Sequence, residues 1–326
     1  MASITIPYAV ADFIEMRERG FYYVDKTQYI AKLEDYKAPV FLRPRRFGKS
    51  LLVSTLACYY DRTKAHRFEE LFGDTWIGNH PTKEHNRYMI IRYDFSAMVM
   101  SDHIQGLAQN FNDLNCGPVE VMVAHNRDLF GDFEFSNRGD ASKMLEEVLT
   151  YARSHELPKV YILIDEYDTP ILQGHSKGFY NEVITFMRNF MSGGLKDNPA
   201  LAFGVLTGIL RVSKENLFSG LNNLVVNSVL DEKYSEYFGF TSDEVTAMAA
   251  YYGREDKLNE LREWYDGYLF GNREIYNPWS VANYFNNECK PRPFWTYTSD
   301  NEIIREIMRT LTPEIADDLI LLMQGK

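Results

Sequence analysis

Hydrophobic and polar positions along the first two thirds of the chain mark short strands followed by helices. Ala38–Leu42 is an apolar run after a polar segment, and Leu51, Leu52, Val53, Leu56 and Ala57 follow it at helical spacing. Residues 88–94, Tyr-Met-Ile-Ile-Arg-Tyr-Asp, read as a strand leading to Asp94 and Ser96. Residues 97–155 are mostly helical in pattern, with a break around Asn115, Gly117 and Pro118, and 128–140 reads as a loop. Further strands are expected at 160–164, 201–207 and 224–230, with a helix over 178–192 ending near Gly193 and Gly194. Strands alternating with helices predict an α/β fold with a mostly parallel five-stranded sheet sandwiched by helices. Ligands bind such sheets at the carboxyl ends of the strands. Topology alone then sets Arg43, Asp94, Asp165 and Thr207 on one edge.

The pattern changes after residue 237, where no strong strand is expected. Thr241 ahead of Asp243 and Glu244 reads as a helix start, and Asn277-Pro278 begins another. Later helices are expected over 300–311 and 313–324. This predicts a core over 1–236 and a small C-terminal helical subdomain over 237–326. Trp264, Tyr265, Tyr268, Trp279 and Trp295 read as the core of that subdomain, with a partner surface as the alternative. There are no internal repeats. The chain stops at Gln324-Gly325-Lys326 without a clear ending, which suggests a piece of something longer.

The loop between the first strand and its helix carries candidate chemistry. Residues 43–50 read Arg-Pro-Arg-Arg-Phe-Gly-Lys-Ser. A phosphate-binding loop has a Gly, four residues, then Gly-Lys-Ser/Thr. Gly48, Lys49 and Ser50 fill the last three positions, and Arg43 stands where the first Gly is expected. In that role, backbone amides from Arg43 through Pro44, Arg45, Arg46 and Phe47 to Leu51 cradle the phosphates at the helix start. Lys49 reaches the β- and γ-phosphates, and Ser50 ligates Mg²⁺. The plainer alternative is a turn with a solvated basic cluster. A second motif weighs against it. Val160 to Glu166 is an apolar run ending in adjacent carboxylates. Asp165 at the strand end would hold the metal shell and Glu166 would activate water. The stretch between the two motifs leaves room for the extra strand of the additional-strand P-loop NTPases.

Composition narrows the partners. The 326 residues are 45% hydrophobic and carry a net charge of −11, which disfavours general nucleic-acid binding. Arg43, Arg45, Arg46 and Lys49 form a local exception suited to a small phosphorylated ligand. The three cysteines and seven histidines show no metal or redox spacing. No signal peptide or membrane-spanning run is seen, so a cytoplasmic protein is expected.

Several residues carry two readings. Thr207, at a strand end, can sense the γ-phosphate or bond to backbone. Arg211 can act as an arginine finger in cis or be a solvated helix residue. Arg45 and Arg46 can line the phosphate path or pair with surface carboxylates. Asp168 can join the metal shell or cap the turn before Pro170. Asp25, with Lys26 and Thr27, can contact base or ribose or cap a local turn.

Seven strings, taken together, resemble one family. They are Tyr23-Val24-Asp25-Lys26-Thr27, Arg43 to Ser50, Leu163 to Pro170, Leu206-Thr207-Gly208, Phe218 to Asn223, Phe238-Gly239-Phe240-Thr241, and Tyr276 to Ser280. The set resembles the bacterial AAA-ATPase-like family, in which Arg in place of the first Gly is typical. The resemblance implies a nucleotide-binding ATPase module using ATP and Mg²⁺, with ADP as product and a linked effector or protein partner. In longer members a PD-(D/E)XK nuclease-like domain follows, and this chain ends about where that domain would begin. Glu288-Cys289-Lys290 has the local form of a nuclease site but lacks an upstream strand Asp, and reads as coincidence. A non-hydrolysing nucleotide switch, a P-loop kinase and the ATPase part of a nuclease-linked system remain as alternatives.

Overall fold

The computed structural model describes residues 5–7, 9–98, 106–195, 199–210 and 224–294. Five strands form one parallel sheet: β1 (Ala38–Leu42), β2 (Met89–Asp94), β3 (Val160–Asp165), β4 (Leu201–Gly208) and β5 (Leu224–Asn227). Their spatial order is β2-β3-β4-β1-β5. β4 is therefore inserted between the strand before the basic loop and the strand ending in Asp165. This is the additional-strand arrangement the sequence predicts. β1 and β3 are buried along their whole length, as strands covered on both faces must be. β2, at an edge, alternates buried and half-buried positions.

Strand alternation builds two cores. Ile162 and Ile164 face one side of the sheet, where helices Leu107–His125, Ala141–Ser154 and Tyr180–Leu195 pack. Tyr161 and Leu163 face the other, against Val53, Leu56 and Tyr60 of helix Lys49–Tyr60. Cys58 is buried on this side, and burial pushes its thiol up to about 12.

The break expected near Pro118 does not occur. Helix Leu107–His125 runs through Asn115, Gly117 and Pro118. An interior Pro costs about 3 kcal/mol, but Leu107, Phe111, Val119, Met122 and Val123 are all buried along that helix. Tertiary burial outweighs the local breaker. The expected loop over 128–140 likewise starts inside a helical turn, Arg127–Phe130. Helix Tyr180–Leu195 continues past Gly193 and Gly194.

Beyond residue 237 the expected helix starts are present. Thr241 and Glu244 form a capping box on Ser242–Tyr251, and Asn277 caps Pro278–Asn286. The expectation of no strand is corrected. β6 (Asp266–Phe270) and β7 (Arg273–Tyr276) pair as an antiparallel hairpin. The hairpin is short, so periodicity over a long window misses it. The local signal is Gly271-Asn272 between two short runs, a recognised two-residue hairpin turn, with Gly271 at φ +56°. Trp295, the string Phe218–Asn223 and the helices expected at 300–311 and 313–324 lie outside the described residues.

This C-terminal segment does not stand apart. Phe238, Phe270 and Ile275 join the core that includes Phe41, Phe47 and Val53, while Ile6 joins the core of Val245, Met248 and Tyr284. Gly239 makes the closest approach. Its φ is +79°, and a Cβ there would lie 2.2 Å from Ile275 Cγ2 and 3.0 Å from both Phe47 Cδ1 and Tyr276 O. Gly239→Ala is expected to destabilise the fold by at least about 2 kcal/mol, through overpacking and a strained backbone. Urea unfolding checks this; an unchanged midpoint would show that the segment yields freely.

Candidate functional site

The residues between β1 and helix Lys49–Tyr60 turn back on themselves through two left-handed positions, Arg46 (φ +71°) and Gly48 (φ +88°). This turn sets the start of the helix at the carboxyl edge of the sheet. Parallel register aligns Asp94 with Asp165, Phe41 with Thr207 and Leu42 with Gly208 on the same edge.

The centre is a compact polar cluster. The Lys49 side chain is 3% exposed. Its ammonium donates to Arg43 O (3.2 Å) and Pro44 O (3.3 Å) and pairs with Glu166 Oε1 at 3.2 Å. The Thr207 hydroxyl donates to Asp165 Oδ1 and accepts the Glu166 N–H at 3.4 Å. Glu166 sits at φ +54°, which turns its half-buried carboxylate out of the strand direction toward Lys49. Burial raises the Glu166 carboxyl above its ordinary range, and the charge of Lys49 opposes that rise.

Each arginine of the loop has a different fate. Arg43 is fully buried. Its guanidinium donates to Leu42 O (2.9 Å), Asn227 O (3.0 Å) and Tyr234 O (3.1 Å). It lies over the rings of Phe238 (5.0 Å) and Phe270 (5.4 Å). Burial pulls it down to about 10, so it stays charged at neutral pH. Its backbone is engaged as well, the N–H with Gly208 O and the carbonyl with Lys49, so Arg43 does not add an amide to the expected phosphate cradle. Arg46 stacks on Trp279 at 4.0 Å. Arg45 is exposed. Phe47 is buried between Tyr268 and Phe270, and its carbonyl accepts the Gly239 N–H. Ser50 and Leu51 are half-buried in the first turn of the helix, and Pro44 is half-buried in the loop.

Other candidates are placed differently from the simplest expectation. Asp25 accepts from Thr27 N (2.8 Å) and Trp76 N (2.6 Å), so its carboxylate is engaged in tying two segments together. Lys26 pairs with Glu244 at 2.6 Å and donates to Glu236 O. Asp168 makes no side-chain cap on its own helix; it holds the turn after β4. Arg211 lies outside the described residues. Trp279, Tyr268 and Phe270 are the site neighbours that sequence reasoning missed, since it read the first two as distant core. Trp279 lies in the string Tyr276 to Ser280 of the resemblance, whereas Tyr268 and Phe270 had only the Gly271-Asn272 turn signal beside them.

Among the described residues, no group of three or more His, Cys, Asp or Glu side chains could hold a metal alone. Ser50 lies in the first turn of the helix and Asp165 ends β3 at the same edge of the sheet. No helix among the described residues is long and apolar enough to cross a membrane.

A sheet in the order β2-β3-β4-β1-β5, a Gly-Lys-Ser loop leaving β1 and paired carboxylates ending β3 define a P-loop fold of the additional-strand class. Residues 7–218 match the model of the AAA-ATPase-like family, described as "Predicted AAA-ATPase". The chain belongs to that family. It is also 31% identical over 322 residues to a protein of Azotobacter chroococcum mcd 1 named "Uncharacterized protein in vnfD 5'region". That match covers 97% of this chain and 58% of the relative, so the chain spans little more than half of that protein's length.

Arg43→Gly would restore the usual loop sequence. It is nonetheless expected to destabilise the protein by about 3 kcal/mol, because it strands buried carbonyls and empties the space between two rings. A denaturant titration checks this. Equal or greater stability in the variant would show that the guanidinium is dispensable.

Proposed function

We propose that the chain is a Mg²⁺-dependent ATPase module that binds and hydrolyses ATP and thereby controls a linked or partner effector. In this reading residues 1–236 are the ATPase core and 237–326 a small, mainly helical subdomain, whose residues Gly239, Tyr268, Phe270 and Trp279 meet the phosphate loop. The observation that carries it is the placement of Lys49 against Glu166 at 3.2 Å, beside the Asp165–Thr207 pair. An ammonium and a water-activating carboxylate already share one pocket at the helix start.

Ser50 and Asp165 would hold Mg²⁺, which supplies charge neutralisation on the β- and γ-phosphates. The loop amides and Lys49 bind and orient the phosphates. Lys49 must leave Glu166 to do so. Glu166 then accepts the proton of a water that attacks the γ-phosphorus, the bond to the bridging oxygen breaks, and ADP departs. The chain's contribution is positioning and charge stabilisation.

Two variants test this. Lys49→Ala is expected to lose tight Mg·ATP binding while remaining folded. Calorimetry on variant and parent decides, and equal affinities would remove the phosphate-loop assignment.

Glu166→Gln frees Lys49 from its carboxylate in the empty site. It is expected to bind Mg·ATP at least as tightly as the parent, yet to release phosphate about 100-fold more slowly. In the parent, turnover should rise with pH through a carboxyl lying above the usual value of 4.5, because only the deprotonated group is a base. The variant should lack that limb. Unchanged turnover in Glu166→Gln would exclude Glu166 as the base.

Ligand that binds only the folded state stabilises it by roughly 2.7 kcal/mol at one hundred times Kd. A thermal melt with Mg·ATP and Mg·ADP, beside a phosphate-release assay, therefore separates the readings. A shift without turnover points to a switch, and transfer of phosphate to a metabolite points to a kinase. No shift at millimolar nucleotide would sink nucleotide binding itself.

A further inference from the structure

The tetrapeptide Asp165-Glu166-Tyr167-Asp168 at the end of β3 does more than supply two carboxylates to the site. Its last two residues reach across to the end of β4. Asp168 is fully buried, and its Oδ2 accepts the consecutive N–H groups of Ile209 (2.8 Å) and Leu210 (2.7 Å). Tyr167 is equally buried, its hydroxyl donates to Leu210 O at 2.6 Å, and its N–H donates to Thr207 O at 2.9 Å. The turn Gly208–Leu210 is therefore gripped at three points by two adjacent residues.

The grip leaves no slack. A Cβ on Gly208 would lie 2.6 Å from the Tyr167 ring and 2.7 Å from Asp168 Oδ1. Gly208 O in turn accepts the N–H of Arg43, the first residue of the phosphate loop. Thr207, one residue earlier, bonds both Asp165 and the Glu166 amide. Motion of this turn would be passed through Thr207 to the carboxylates of Asp165 and Glu166.

Two consecutive backbone amides make a ready anion site. Here the protein's own carboxylate fills it, while Asp168 Oδ1 is buried without a hydrogen-bond partner. A buried carboxylate with an unsatisfied oxygen is costly, and a turn held only for stability does not require one. Such costs gather at functional sites.

We propose that Asp168, assisted by Tyr167, is a positioning residue: it locks the turn after β4 so that Thr207 keeps Asp165 and Glu166 aligned on the γ-phosphate. The proposal rests on the nucleotide reading given above. Its loss should be felt by the γ-phosphate and the chemical step, and not by the parts of the nucleotide common to ATP and ADP.

The test compares the affinities of Mg·ADP and a non-hydrolysable Mg·ATP analogue, by calorimetry, in parent, Asp168→Ala, Asp168→Asn and Tyr167→Phe. Asp168→Ala is expected to lower the preference for the analogue by about fivefold or more, with Mg·ADP affinity held within about twofold. Asp168→Asn keeps an acceptor for both amides and should restore most of that preference. Tyr167→Phe removes one hydroxyl bond and should show the same split to a smaller degree. It also keeps the test alive if Asp168→Ala does not fold. Equal weakening of both nucleotides would reduce Asp168 to a structural role and overturn the proposal. A parent-like ratio in Asp168→Ala or Tyr167→Phe would do the same. A parent that binds neither nucleotide removes the underlying reading and the proposal with it, whereas a parent that binds both isolates the proposal as the failure.

Discussion

The geometry of the site depends on one buried cation. Arg43 touches four strands and the segment between β5 and β6 where they meet the phosphate loop. Its N–H holds the end of β4 through Gly208 O, and its carbonyl receives Lys49. Its guanidinium spans the carbonyls of Leu42, Asn227 and Tyr234 between the rings of Phe238 and Phe270. Among the described residues no carboxylate bonds to it directly, and Asp231 offsets its charge through space. Desolvating a cation costs several kcal/mol. Here that cost is offset by oriented carbonyl dipoles and aromatic faces. Such an arrangement holds only while β5, the turn at Tyr234 and the β6–β7 hairpin all stay in place. The residue that departs from the usual loop sequence is thus the residue that fastens the C-terminal segment to the loop.

Lys49 is surrounded by two loop carbonyls and Glu166, so the ammonium already has a counter-ion. In the proposed reading a polyphosphate displaces that carboxylate from Lys49. Glu166 then loses its cation, and its burial makes it a stronger base toward a nearby water. In that reading substrate binding and activation of the base would be one event.

Much of this was legible in the sequence, and the rest was hidden for identifiable reasons. The five strands were readable because each is a continuous apolar run or a run ending in a charged residue at the sheet edge, as at Asp94 and Asp165. Thr207 could be placed by topology but its bond to Asp165 could not, since register is a long-range property. Arg43 was legible as an anomaly and not as a strut, because a basic residue in a basic loop points to phosphate until the burial of its side chain is known. The hairpin at 266–276 was missed because its strands are short, and with it went the contacts of Phe47 to Tyr268 and Phe270. Pro118 misled because local propensity is weaker than the burial of a whole helix face. Asp168 was set beside its own helix, when its partners lie forty residues away in sequence, at Ile209 and Leu210.

The fates of the four loop cations also decide what kind of anion the site suits. A polynucleotide is held by several exposed cations, each neutralising one phosphate along the strand. Here Arg43 is buried in the core, Lys49 is sequestered at the helix start and Arg46 is stacked on Trp279. Among the described residues, only Arg45 of the four is exposed without a ring or carboxylate against it. The surrounding chain carries a net charge of −11, which repels a long polyanion at distances beyond the loop. In the proposed reading, one buried lysine, the start of a helix and one exposed arginine would meet the anion. That set suits the end of a single polyphosphate chain better than a strand lying across the surface.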